Sequence, residues 1–139
     1  MNSPLLPFQV GAITRIEVVM AANGHAGDRV FVDPSHGQAL PYVVCGSDTL
    51  IRVSTKDNDM TELTHTFVAW SDSMGEAKTV ADYVVQALTD DSNLVAITGF
   101  SVTTNDLDFI GPPLSDEDQG GNDNRYGVPV RVRYVVKEA

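Results

Sequence analysis

Residues 61–88 read TELTHTFVAWSDSMGEAKTVADYVVQAL, and two structural periods meet in them. Thr61 to Trp70 is rich in β-branched and aromatic side chains, the composition of a strand. Ser73 then stands three residues before Glu76, the spacing of a capping box that satisfies the free N–H groups at a helix start. Beyond it, Ala77, Val80, Ala81, Val84, Val85 and Leu88 recur at i, i+3, i+4, i+7, i+8 and i+11, one stripe of a helix. Lys78 and Asp82 stand four apart on the opposite side, and Thr89 to Asn93 ends the helix. A helix with one apolar stripe, entered directly from a strand, has to bury that stripe on the strand's own sheet.

Upstream, Pro41 opens the continuous apolar run Tyr42, Val43, Val44, Cys45, which suits a strand buried on both sides. Gly46, Ser47 and Asp48 predict a turn, Thr49 to Thr55 a second strand, and Lys56 to Asp59 another turn. With Thr61 to Trp70 these form an antiparallel meander. Asp28 to Val32 reads as a short strand before a loop at residues 33–37. From Gly11 the pattern is helical, with Ile13, Ile16, Val19 and Met20 on one face and a stop at Asn23 and Gly24.

Residues 1–10 carry Pro4 and Pro7, which predict an extended arm rather than a helix. An arm of that kind leaves Leu5, Leu6 and Phe8 in need of cover from outside the domain, so these three are candidate interface residues. Trp70 and Tyr42 are assigned to the core or its border.

Downstream, Leu94 to Thr104 is β-rich with a bend expected at Gly99, and Leu107, Phe109 and Ile110 extend it. Residues 111–125 read as a long, exposed, acidic loop containing Asp116, Glu117, Asp118 and Asp123. The chain closes in strict alternation, with Val128, Val130, Val132, Tyr134 and Val136 opposed to Pro129, Arg131, Arg133 and Lys137, the mark of a half-buried strand. The expected fold is one α+β domain over residues 1–139, a two-layer arrangement with an antiparallel β-sheet and two helices packed on one face.

A chain of 139 residues buries roughly two thirds of its unfolded surface, enough for one core without disulfides or metal. Nineteen acidic residues against nine basic ones give a net charge of −10, which opposes binding to a bare phosphate backbone. The single cysteine, Cys45, closes no disulfide within the chain and fits a reducing compartment. Met1 to Ala12 lacks the positive start of a secretory signal, and the uncharged runs are broken by Pro, Gly or Asn, so neither export nor membrane insertion is expected.

Catalytic patterns are missing. His25, His36 and His65 share no spacing that would place two imidazoles on one metal. His65 reads as a strand residue satisfied by a neighbour. No G-x-S-x-G surrounds Ser71 or Ser73, and Cys45 lies within an apolar strand, where a thiol is inert filler. Asp116, Asp118 and Gly121 echo the start of a calcium loop, but Gly127 stands where its final Glu belongs. No catalytic, cofactor-binding or metal-binding residue is assigned, and no enzyme is expected. Charge is nonetheless uneven: residues 105–124 hold six acids and no base, while residues 125–137 hold four of the nine bases.

Leu40, Pro41, Tyr42, Val43, Val44, then the strand ending Thr66, Phe67, Val68, Ala69, Trp70, Ser71, then Glu76, Ala77, Lys78, together resemble the tail completion proteins, or tail terminators, of tailed bacteriophages and gene-transfer-agent-like particles. The closing Tyr126, Gly127, Val128, Pro129, Val130, Arg131, Val132, Arg133 is similar to the family's last strand. The family's usual start is a longer Ala- and Leu-rich helix, from which the proline-containing arm departs. The resemblance implies a structural virion protein of the tail and neck, assembled in the host cytoplasm. It implies a homo-oligomer, a hexameric ring, on the head-proximal end of the tube of major tail protein, with a surface for the head connector or stopper. It also implies that DNA passes through the lumen without specific binding and that no cofactor is needed; on the charge arithmetic, Asp116, Glu117, Asp118 and Asp123 are then expected to face the lumen or tube. The alternatives are a head-closure or connector-adaptor neck protein and, in another class, a small ligand-binding module or enzyme.

Overall fold

The computed structural model describes residues 3–25, 27, 29–32, 39–53, 59–92, 94–112, 114–117 and 124–138. Its first element is helix α1 (Leu5–Ala22). The expected extended arm is therefore corrected: residues from Leu5 onward are helical. Pro7 is tolerated because it occupies the third helical position, where the N–H has no partner within the helix, and the carbonyl its ring would strike lies before the helix. The first helical bond runs from Phe8 N to Pro4 O at 2.9 Å, and the Ser3 hydroxyl accepts from Leu5 N at 3.3 Å.

The sheet contains β1 (Val30–Phe31), β2 (Tyr42–Arg52), β3 (Met60–Ser71), β4 (Phe100–Ile110), β5 (Leu114–Glu117) and β6 (Asn124–Glu138). Its order is β1-β2-β3-β6-β4, with β5 pairing on β6 beyond the end of β4. All pairings are antiparallel except the short β1, which runs parallel to β2. The second helix, α2 (Met74–Thr89), connects β3 to the segment before β4. Two expected connections differ. The turn at Gly46 to Asp48 is a bulge inside one continuous β2, where three steps along β2 from Cys45 to Asp48 oppose two from Phe67 to His65. The start of the expected acidic loop is β5, which brings Asp116 opposite Arg125 and Glu117 opposite Asn124 in backbone register.

β3 alternates perfectly, with Thr61, Leu63, His65, Phe67, Ala69 and Ser71 buried under the helices and their neighbours half-buried on the open face. On α2 the buried stripe is Ala77, Val80, Ala81, Val84, Ala87 and Leu88, with Val85 packed at its border. The cap works in two parts. Ser73 Oγ accepts from Glu76 N at 3.1 Å, while the Glu76 carboxylate turns to the Ser71 hydroxyl, which donates to it at 2.6 Å.

On α1 the buried residues are Phe8, Ala12, Ile16 and Met20, spaced four apart, with Ile13 and Val19 at the border. Phe8 is fully buried, its ring edge-on to Tyr134 at 4.8 Å between centroids and near His65 at 5.7 Å. Gly11 lets α1 approach the strap of residues 94–98: a Cβ there would lie 2.2 Å from the Ala96 carbonyl oxygen. Phe8 therefore belongs to the chain's own core, not to an interface.

Truncating Phe8 to alanine is expected to cost roughly 3–5 kcal/mol in urea denaturation, as for other buried aromatics. Leu6→Ala, at a site that is 67% exposed, is expected to stay within about 0.5 kcal/mol of wild type.

Candidate assembly interface

The polar and nucleophilic residues singled out in the sequence do not converge. Cys45 is buried, and burial, with a smaller contribution from Asp48, pushes its thiol up to about 11, so it carries no thiolate at neutral pH. Ser71 and Ser73 are occupied at the α2 cap. His25 lies against Tyr83 with ring centroids 6.4 Å apart, and His36 falls outside the described residues. Among the described residues no three His, Cys, Asp or Glu side chains cluster as a metal site.

His65 departs from its sequence reading. It is fully buried, stacked on Phe67 at 4.4 Å, and neither ring nitrogen has a hydrogen-bond partner. The β2 bulge delivers Asp48 to its side, with a carboxylate oxygen 3.7 Å from Nδ1. Burial holds the imidazole below its ordinary value of 6.5, and Asp48 offsets this only in part.

The open face of the sheet is an ion-pair ladder rather than a free basic stripe. Arg131 reaches Asp108 at 2.6 Å and lies over the Phe109 ring, while Arg133 spans Glu62 at 3.1 Å and Asp106 at 3.7 Å. The hydrogen bond to Glu62 is the main cause that raises Arg133 above its usual value. Arg125 donates to the Tyr42 hydroxyl at 2.8 Å and sits over Trp70, whose ring covers Gly127 so closely that a Cβ would lie 2.9 Å from it. Two of the acids that the sequence placed in a negative segment, Asp106 and Asp108, are thus matched by bases of β6 itself.

What remains uncovered is apolar. α1 is apolar almost all round, with Arg15 and Glu17 its only charges, and by length and composition alone it is long and apolar enough to cross a membrane. Its inner stripe is spent in the core, but Leu6, Val10 and Val18 face outward, with Leu94 nearby. A groove of about 490 Å³ runs between α1 and the 94–98 strap, lined by Leu6, Pro7, Val10, Leu94 and Ala96, with Arg15 at its side. Of the three residues proposed from sequence, Leu6 lines this groove, Leu5 is half-buried against the core, and Phe8 is inside it. At the edge of the sheet, strand β4 exposes Leu107, Phe109 and Ile110, and β5 exposes Leu114. Asp116 and Glu117 lie on β5, whereas Asp118 and Asp123 fall outside the described residues. Val10 escaped the sequence reading because the arm ended at residue 10, and Val18 because only the inner stripe of the helix was counted; an apolar count around the whole helix finds both.

The family model for tail completion protein gp17 matches residues 12–136. The chain belongs to this family. A chain in the virion of a native gene transfer agent particle shares the fold at a TM-score of 0.67 and 16% identity, over 93% of each chain. The gp17 protein of bacteriophage SPP1 does so at a TM-score of 0.50 and 20% identity, over 91% of this chain and 86% of the other. Curated protein sequences yield no match. The structural likenesses speak for the fold, and the family match for the role: this is a structural tail completion protein of the virion's tail and neck.

In this tail completion protein His65 makes stability depend on pH with a known sign. The unfolded chain takes up a proton near 6.5 and the folded chain resists it, so stability is lost as pH falls below that value. Between about pH 7.5 and 5.5 the urea midpoint of wild type is expected to drop more than that of His65→Phe, which keeps an aromatic ring but no titration. Equal drops would show that the imidazole titrates as freely in the fold as outside it.

Proposed function

We propose that the protein assembles into a closed ring, a hexamer, that caps the head-proximal end of the tail tube, stops its growth and presents a surface to the head connector or stopper. The observation that carries this reading is the pair of unlike apolar surfaces on one subunit, the outer face of α1 and the β4–β5 edge. Two different patches that complement each other produce head-to-tail contacts, which close into a ring when the rotation permits. A helix apolar on all sides is normally enclosed, and here the chain encloses only one of its sides.

The ring leaves a path for the genome, and the charge balance suits that path. A net charge of −10 disfavours phosphate binding, so a polymer of phosphates slides instead of sticking. We place Asp116, Glu117, Asp118 and Asp123 toward the lumen or the tube on this argument. The chain works as a joint between protein parts, without a reaction.

Native mass spectrometry of the purified protein is expected to give a particle of six chains, and addition to growing tail tubes is expected to arrest their elongation. Protein that stays monomeric at high concentration and leaves tube growth unchanged would overturn the ring reading. Replacing the four acids with Asn or Gln is expected to preserve rings while raising their affinity for double-stranded DNA at low salt by at least ~10-fold, measured by fluorescence anisotropy.

A further inference from the structure

The sheet ends in two open margins. β4 pairs with β6 along one side and with no other strand among the described residues. At the far side, the two-residue β1 covers only Val43 and Val44 of β2, so residues 45–52 have no strand beyond them among the described residues. Backbone N–H and C=O groups along such margins are a template for a further strand, and proteins commonly guard them with lysine or proline. Neither residue type occurs in 45–52 or in 100–110.

The two margins match in level and in direction. Bulges at Val102/Thr104 and Leu107/Phe109 bracket residues 104–107 as a regular run on β4, and the bulge between Cys45 and Asp48 leaves residues 48–52 as the regular run on β2. Traced through β6 and β3, Thr104, Asn105, Asp106 and Leu107 stand on the same rungs as Ile51, Leu50, Thr49 and Asp48. Three antiparallel steps separate β2 from β4, so the two strands run in opposite directions. Rotation about an axis along the strands leaves each direction unchanged. It therefore sets the β2 margin of one copy antiparallel to the β4 margin of the next, the pairing that the rest of the sheet uses. Exposed apolar side chains border both margins, Ile51 on β2 and Leu107 and Phe109 on β4.

From this match we infer that the strand which completes the β4 edge is the β2 margin, residues 48–52, of a second copy of this chain. The inference deepens the ring reading and rests on it: it names what the β4 side of one subunit meets on the next. The sheet then continues from copy to copy, and its helix-covered face and its open face each stay on one side. A two-fold contact of β4 with β4 would close as a dimer and leave β2 bare. A foreign strand would use one margin alone and gives no reason for the two to be level and opposed.

Proline removes an N–H and is tolerated in a strand where that N–H points away from the sheet. Successive residues point their N–H groups to opposite sides, so one of Thr49→Pro and Leu50→Pro blocks the β2 margin while sparing the ladder to β3, and one of Asp106→Pro and Leu107→Pro does so on β4. The urea midpoint selects the folded variant of each pair. Each selected variant is expected to be monomeric where wild type forms rings. Their equimolar mixture is expected to give dimers with one copy of each and nothing larger, because one intact margin of each kind remains. A variant that still forms rings, or a β2 variant that dimerises by itself, overturns the pairing. Thr104→Cys or Phe109→Cys combined with Thr49→Cys or Ile51→Cys places two thiols on the open face, Cys45 being buried. At least one of these four combinations is expected to yield a ladder of disulfide-linked copies on a non-reducing gel after oxidation. Thr104→Cys with Leu50→Cys, on opposite faces, is expected to yield none. Absence of the ladder from all four in protein that still assembles overturns the pairing, and the ladder decides alone if both prolines of a pair unfold the chain. Wild-type rings with unaffected variants reject the edge pairing and leave the ring standing, whereas wild-type protein that never assembles rejects both.

Discussion

Tyr134 joins every layer of the molecule. Its ring receives Phe8 from α1, its hydroxyl donates to the Leu88 carbonyl near the C-terminal end of α2, and its backbone sits in β6 between Leu63 of β3 and Asn105 of β4. Buried completely, it keeps its proton, because burial pushes the phenol far above its usual range. One side chain thus positions both helices against the centre of the sheet. The free C-terminal carbonyls of a helix need a donor from outside, and a phenol buried beneath α2 supplies one in a place water does not reach.

With the inner stripe of α1 committed to Tyr134, Phe67 and His65, its outer stripe has nothing of its own chain to cover it. The same holds at the edge of the sheet, where β6 is paired on both sides and β4 on one only. The proposed assembly rests on this division of labour: a core that folds the subunit and apolar margins left for neighbours to complete. The arginines of β6 fit the same economy, since their cross-strand pairs with Glu62, Asp106 and Asp108 leave the open face balanced in charge.

How far residues announced their positions depended on how local the physics was. The α2 cap and stripe were readable because a hydroxyl reaching an N–H three residues away and a 3.6-residue period are both properties of a short segment. The alternation of β6 was readable for the same reason. Pro7 misled because its effect depends on its distance from a helix start that only the burial of Phe8 sets. Gly46, Ser47 and Asp48 misled because a turn and a bulge use the same small and polar residues, and the choice between them lies in the pairing partner, β3. Leu6 was readable as an interface residue from its lack of cover, but Leu5 and Phe8 beside it could not be separated from it before the helix gave each its direction.

By itself, then, the order of residues determined the α+β class, the capped helix on the sheet, the closing strand and the likeness to tail completion proteins, all consequences of short-range period and composition. Tertiary structure alone decided that the N-terminal segment is helix rather than arm, that β1 is parallel, that His65 is buried beside Asp48 without a hydrogen-bond partner, and which apolar side chains are left outside. The physical reason is that burial is a property of surfaces meeting across the fold. A leucine is apolar wherever it stands, and only the rest of the molecule determines whether it is covered.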